Sequence, residues 1–325
     1  DATVIAASVA AAVGQVGIGA SIGVAIAKNY IGYDLDGTAR SDRGAVRAEV
    51  TNLFLLGKGG SGAGSALDIA ATSTRKINAV VFAGSVGIAA GQVGIALAGA
   101  GVNAENRIAG STVAGIFGDS SNISAAAISV LATNASRIDA VAAAVALTIA
   151  GGMAAGAVSI AATEALNDIR STVEAHIARQ PTDSGTGLVQ STGTITVLAK
   201  DEAAIRAVAA AAAVAVSIGA GALSIAGAGV GARNAIGTQV VADVDGMSVG
   251  ATGDISVMAS STGIIDATVV AAALAAAGGG VGIGAAVGVS IARNEIGYTE
   301  SGRAVDYTTA GTAPAQILAG KVVMI

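Results

Sequence analysis

One unit recurs five times in this chain, and its length does not change. The cleanest copy runs from Asp266 to Gly297 (DATVVAAALAAAGGGVGIGAAVGVSIARNEIG). The stretch from Asp1 to Gly32 lies on it without a gap, Asp1 over Asp266 and Gly32 over Gly297. The copies start at Asp1, Asn78, Asp139, Arg206 and Asp266 and close at Asn29, Asn106, Asn167, Asn234 and Asn294, so start and close are equally far apart in all five. The intervals between successive closing asparagines differ, and all the variation falls in the arms between copies. A single unit of this kind cannot bury its own apolar face, so copies must stack on one another. The register divides the chain into a truncated first repeat (1–32), four further repeats (33–109, 110–170, 171–237, 238–297) and the start of another (298–325).

Each unit has an Ala-dense first half, a glycine break and a second half with small residues four apart. Alanine has the best helix propensity and glycine permits a tight reversal, which predicts a hairpin of two short helices. Residues at i and i+4 share a helix face, so Gly19, Gly23, Gly284, Gly288 and Ala292 read as packing positions. The closing asparagines (Asn29, Asn106, Asn167, Asn234, Asn294) read as helix C-caps, because Asn tolerates the left-handed conformation. Against this, the Val/Ile content of Val281 to Ile291 fits a strand. The arms alternate in short apolar runs between Asp-Gly and Thr-Gly-Asp turns, as in Thr238 to Gly263, and read as strands. The expected fold is an α/β repeat: a solenoid-like stack of short β-strands in which each repeat carries an Ala/Gly-rich helical hairpin.

Composition narrows the chemistry. Charged residues are 12 % and aromatics 2 %, against a usual charged content of roughly 25 %. The net charge of -5 leaves no basic stripe for nucleic acid. With no cysteine there is no disulfide, thiolate metal site or Cys nucleophile, and His176 is the only histidine. Gly17-x-Gly19 and Gly282-x-Gly284 open like a dinucleotide fingerprint, but Ile22 and Val287 stand where the third glycine belongs. The loop GKGGSGAG at 57–64 has the wrong order for a phosphate-binding loop. Two acidic pairs, Asp34/Asp36 and Asp243/Asp245, precede a glycine. They are turn signals that also suit a shared calcium ion, the one cofactor left open. No catalytic constellation emerges, and the expectation is a protein without catalysis.

The apolar stretch Ala267 to Ala292 is longer than the roughly 20 residues needed to cross a bilayer. Its central glycines and the lack of Trp or Lys/Arg belts argue against insertion. A membrane-inserting or pore-forming segment of a secreted toxin-like protein is therefore the alternative expectation. Asp1 falls inside a repeat, which predicts a polypeptide continuing at both ends.

Ile255–Ser260 with Asp266–Gly297, Ile69–Thr74 with Asn78–Ala109, Ile128–Thr133 with Asp139–Ile169, and Ile195–Leu198 with Arg206–Gly237 share an ISVxATS-like strand followed by the unit. This combination resembles the repeats of large bacterial filamentous surface adhesins, the leukotoxin-like family. The resemblance implies a structural module of a long extracellular or cell-surface fibre with β-solenoid-like stacking and a role in adhesion or biofilm. It also implies self-association into filaments, head-to-tail and laterally, and no catalytic residues.

Overall fold

The computed structural model describes residues 1–34, 36–40, 44–56, 65–118, 120–180, 185, 187–297, 316–319 and 323–324. Within them the strands are β1 (Ala2–Val13), β2 (Val16–Ile31), β3 (Val46–Thr51), β4 (Phe54–Leu56), β5 (Leu67–Ala90), β6 (Val93–Phe117), β7 (Asn122–Ala125) and β8 (Ile128–Gly151). They continue as β9 (Ala154–Ala178), β10 (Leu188–Ser191), β11 (Ile195–Asp201), β12 (Ala204–Asp245), β13 (Ser248–Ala251), β14 (Ile255–Ser261), β15 (Ile264–Ile296), β16 (Gln316–Ala319) and β17 (Val323–Met324). No helix occurs among the described residues. The glycine-rich loop at 57–64 and most of 298–325 lie outside them.

Among the described residues all strand pairing is parallel, and the one antiparallel contact is an isolated bridge between Tyr33 and Ala39. Partners are set by the repeat. Ala2 faces Ala79, Leu67 faces Ile128, Ala204 faces Arg137 and Ala204 faces Ile264. The same four steps, 77, 61, 67 and 60 in sequence number, separate the successive closing asparagines. Within the five units each residue therefore stacks on its own counterpart in the next copy, while the arm strands β3 and β4 pair at offsets of their own, as in Val46 with Thr112 and Phe54 with Asn122.

A 12-stranded sheet doubles over at the glycine breaks into two facing leaves. The first leaf runs through β1, β5, β8 and the first halves of β12 and β15. The second runs through β2, β6, β9 and the second halves of β12 and β15. A five-stranded sheet of β4, β7, β10, β13 and β16 closes the side away from the breaks. The whole is an all-β, nearly closed, flattened parallel barrel.

The expected α/β repeat is therefore corrected. The predicted helical hairpins are two strands of adjacent leaves, and the predicted stack of short strands contains strands as long as 42 residues. The outcome is a compact barrel domain rather than an elongated Ala/Gly-rich filament. The stretch Ala267–Ala292 lies wholly in β15, reversed at Gly278–Gly280 and paired with β12. No helix of the described residues is long and apolar enough to cross a membrane.

The physical reason lies between the leaves. Inward residues near the breaks are almost all Ala, Gly, Ser or Thr: Ala142, Ala144, Ala146 and Thr148 on β8 oppose Ala155, Ala157, Ser159 and Ala161 on β9, all buried. The leaves are so close that hydroxyls of one reach carbonyls of the other. Ser159 Oγ donates to the Ala146 carbonyl at 2.8 Å, and Ser224 Oγ to that of Ala276 at 2.7 Å. Sheets normally pack about 10 Å apart over larger side chains. At Gly19 a Cβ would stand 2.5 Å from the Ile88 carbonyl oxygen, so only glycine fits. A short Ala-rich helix is marginal in water. Here the same residues bury their methyl groups and bond every internal strand to two neighbours.

Away from the breaks the gap widens and the interior changes. A layer of isoleucines (Ile77, Ile108, Ile138, Ile169, Ile205, Ile236) forms a neck. Beyond it Ile116, Ile123, Val130, Ile177, Val189, Val197 and Met247 fill a broader base under the five-stranded sheet. Ala144 is 1 % exposed and faces the opposite leaf, whereas its neighbour Ala143 faces outward. Ala144→Leu is expected to cost about 1–3 kcal/mol by overpacking, and Ala143→Leu under about 0.5 kcal/mol. Denaturant unfolding of the two variants checks this.

Candidate functional site

Polar groups collect at the neck, where the strands pass from the blade of facing leaves into the base. The five closing asparagines point inward from β2, β6, β9, β12 and β15 and stack as a ladder. Asn29 Nδ2 donates to Asn106 Oδ1, Asn106 to Asn167, Asn167 to Asn234 and Asn234 to Asn294, each at 2.8 Å. Asn106, Asn167 and Asn234 are fully buried. Their predicted role as helix C-caps is corrected: each sits within a strand, and its amide bonds to the next copy rather than to a helix end. In-register stacking makes the ladder possible, since identical amides then repeat at the strand spacing.

On the first leaf, Ser73, Asn134, Asp201 and Ser261 occupy one stacked column. Asn134 Nδ2 donates to Asp201 Oδ1 at 2.6 Å. Asn134 Oδ1 accepts from Ser136 Oγ at 2.9 Å and from the Arg75 guanidinium at 3.1 Å. Arg75 also donates to the Gly44 carbonyl at 2.7 Å. Burial lowers the Arg75 pKa; guanidinium nonetheless stays charged in proteins. Asp201 is fully buried and its Oδ2 makes no hydrogen bond of normal geometry. Burial raises its pKa, against the opposing pull of Asn134, Thr238 and the Ala203 backbone.

A second polar group lies on the outer face of the base. His176 Nδ1 is 2.7 Å from Asp243 Oδ1, and Nε2 is 3.5 Å from Glu174. Burial works to lower the imidazole pKa, but the two carboxylates outweigh it and push it up to about 9. The ring also leans on Phe117, with centroids 5.9 Å apart.

The expected absence of any chemistry is corrected by these groups. The fold buries a connected set of amide, guanidinium and carboxyl groups inside a nearly closed parallel barrel, an architecture that elsewhere carries catalytic sites. Displaced pKa values of this kind cluster at sites that handle protons, although fold alone does not decide function.

The other predicted residues are placed as follows. Gly19 and Gly23 line the inter-leaf gap, and a Cβ at Gly23 would meet the Gly84 carbonyl. Gly284 and Gly288 face Ala275 and Ala271, and a Cβ at either would stand 3.1 or 3.2 Å from the facing carbonyl oxygen. Ala292 lies on the terminal strand and is exposed, while its stacked counterpart Ala232 is buried. The two calcium candidates are not brought together. The Asp34 carbonyl and Asp36 Oδ1 accept turn hydrogen bonds from Gly37 and Thr38, and Asp243 holds His176. Among the described residues no group of three ionisable ligands is placed to hold a metal.

The outer face of the first leaf is the largest feature that reading the sequence did not find. Six outward positions on β1 are Thr3, Ile5, Ala7, Val9, Ala11 and Val13. With their stacked partners on β5, β8, β12 and β15 they make thirty positions, of which Thr3 and Thr268 alone are polar and none is charged. The central column is Val9, Val86, Leu147, Val214 and Leu274. Charges appear only at its neck border, where Asp139 pairs with Arg137 at 2.7 Å and with Lys76 at 3.6 Å. The second leaf has a similar border: Lys28 and Arg107 pair with Glu105 at 3.3 and 2.6 Å.

No known protein family, curated protein or solved structure matches the chain. The resemblance to filamentous-adhesin repeats is thus corrected: it rested on Ala/Gly-rich pattern, and the chain forms a single nearly closed parallel barrel.

For Asp201 the linkage sign follows from a folded-state pKa raised above the ordinary 3.8. Its stabilising contribution is full below that value and is lost as pH rises through the folded-state pKa. Asp201→Asn is expected to raise Tm at pH 7 and to leave it unchanged below about pH 3.5, measured by calorimetry across pH.

Proposed function

We propose that this domain is a self-associating binding module whose first leaf pairs face to face with the same leaf of a second copy. The observation that carries the proposal is the thirty-position outer face without a charged side chain. Twelve residues by five strands cover roughly 40 Å by 24 Å, or about 900 Å². The largest apolar patch on a typical monomer is about 300–600 Å². A standard interface buries about 800 Å² per partner, so the face is large enough for a stable pair. Val9, Val13 and Ile5 are 73 %, 84 % and 68 % exposed, which leaves most of their apolar area to gain by burial. A face that repeats the same residue types across five strands is self-complementary under a two-fold axis.

Leu147→Lys places a charge at the middle of this face without touching the inter-leaf gap. Sedimentation equilibrium is expected to give Leu147→Lys about half the weight-average mass of the unaltered chain at the same concentration. Val158→Lys, on the outer face of the second leaf, is expected to keep the mass of the unaltered chain. Equal masses for the unaltered chain and Leu147→Lys overturn the proposal.

A second reading is favoured by one observation, the fully buried Asp201 carboxyl with an unbonded Oδ2 and a raised pKa. Burial raises the Asp201 pKa and so favours its protonated form, the form a general acid needs. Turnover of chromogenic ester or glycoside substrates that is abolished by Asp201→Asn and retained in Leu147→Lys supports this reading. Absence of turnover across such a panel overturns it.

A further inference from the structure

We infer that the free edge of β15 accepts the β1–β2 edge of a second copy, so that the two molecules share one continuous parallel sheet. This contact uses a different surface from the face-to-face pair and rests on different observations. Among the described residues β15 pairs only with β12, β1 only with β5, and β2 only with β6. Among the described residues each of these strands therefore presents one unpaired edge of N–H and C=O groups, a ready template for another strand.

The two edges match. With Asp1 laid on Asp266, the stretches Asp1–Gly32 and Asp266–Gly297 are identical at 22 of 32 positions. Every internal step of the barrel already stacks a unit of this type on the next in register, so the same geometry extends to a second copy. Glycines and alanines would again fall opposite one another: Gly17 on Gly282, Gly19 on Gly284, Ala27 on Ala292.

The asparagine ladder gives the contact its direction. Each of its four bonds runs from the Nδ2 of one asparagine to the Oδ1 of the next one toward the C-terminal end. Asn294 at one end therefore offers an Nδ2 donor, and Asn29 at the other offers an Oδ1 acceptor. A second copy docked through β2 puts Asn29 where the next rung belongs and extends the ladder by one bond. Glu295, which accepts ion pairs from Arg233 and Arg293, then falls opposite Tyr30 and diagonal to the incoming Lys28, whose direct opposite is Arg293, a like-charge contact. Asp266 meets Asp1, a like-charge contact at the exposed neck border that opposes the fit and is screened by salt.

The chain has no cysteine, which makes crosslinking a clean readout. Val24 and Val289 are counterparts in the two matching stretches and are 57 % and 50 % exposed on the outer face of the second leaf. Within one molecule they are four strand spacings apart, about 19 Å, far beyond disulfide reach. Val24→Cys and Val289→Cys are each prepared with Leu147→Lys, which removes face-to-face pairing, and mixed under mild oxidation. The expected result is a crosslinked heterodimer in the mixture and little from either variant alone. Adding Asn294→Asp keeps the acceptor used by Asn234 but removes the outward donor. It is expected to lower the heterodimer yield about tenfold. No heterodimer in the mixture, or equal crosslinking by the single variants, overturns the inference and leaves the face-to-face proposal to its own test.

Discussion

Two sheets held close enough for a serine hydroxyl to bond a carbonyl of the opposite sheet leave room for nothing larger than alanine, serine or threonine near the breaks. The rest of the structure depends on that constraint. It keeps side chains larger than valine out of the interior of the blade, where Val81, Val102 and Val230 lie away from the breaks, and most branched residues face outward, where they build the apolar outer faces. It requires the glycine breaks, since the chain must reverse within two or three residues to return so close to itself. It also requires strict register: a one-residue slip would drive Val145 or Leu147 into the gap in place of Ala144 or Ala146. Parallel stacking at the repeat offset enforces that register, because each inward column near the breaks then carries small residues in every layer, as in Ala6, Ala83, Ala144, Ala211 and Ala271.

The neck is where this constraint relaxes, and polar groups occupy the transition. The ladder Asn29–Asn106–Asn167–Asn234–Asn294 satisfies amides that the apolar interior would otherwise strand, and the whole ladder exists only if five copies align. Asp201 is the exception. Its neighbour in the column is an amide, but its own carboxyl is buried with one oxygen unbonded. Burial raises its pKa, against hydrogen bonds that pull the other way.

Much of the register was legible in the sequence, because the spacings of the closing asparagines are the pairing offsets. The secondary structure was misread for a specific reason. Small residues four apart, as at Gly280, Gly284 and Gly288, share a face in a helix, but four is also a multiple of two, so they share a face in a strand as well. Alanine on both faces hid the alternation. A sharper signal lies in β12, where every odd position from Ala207 to Ser217 is Ala or Ser while Val208, Val214, Val216 and Ile218 fall on even positions. The Asn134–Asp201–Arg75 group was missed because its members have different identities in different copies. Aligning the arms by the offsets would have put Ser73, Asn134, Asp201 and Ser261 in one column. The His176–Asp243 pair follows from the offset that also relates Asn167 to Asn234.

The central claim is that counterparts in successive copies stack in register as parallel strands. Nuclear Overhauser contacts between the side-chain amide of Asn167 and those of Asn106 and Asn234 test it most directly. The account predicts both contacts, with slow exchange of these amide protons. Absence of both, together with sequential i to i+3 contacts through Ala140–Ala150, would show helices in place of the strands and contradict it.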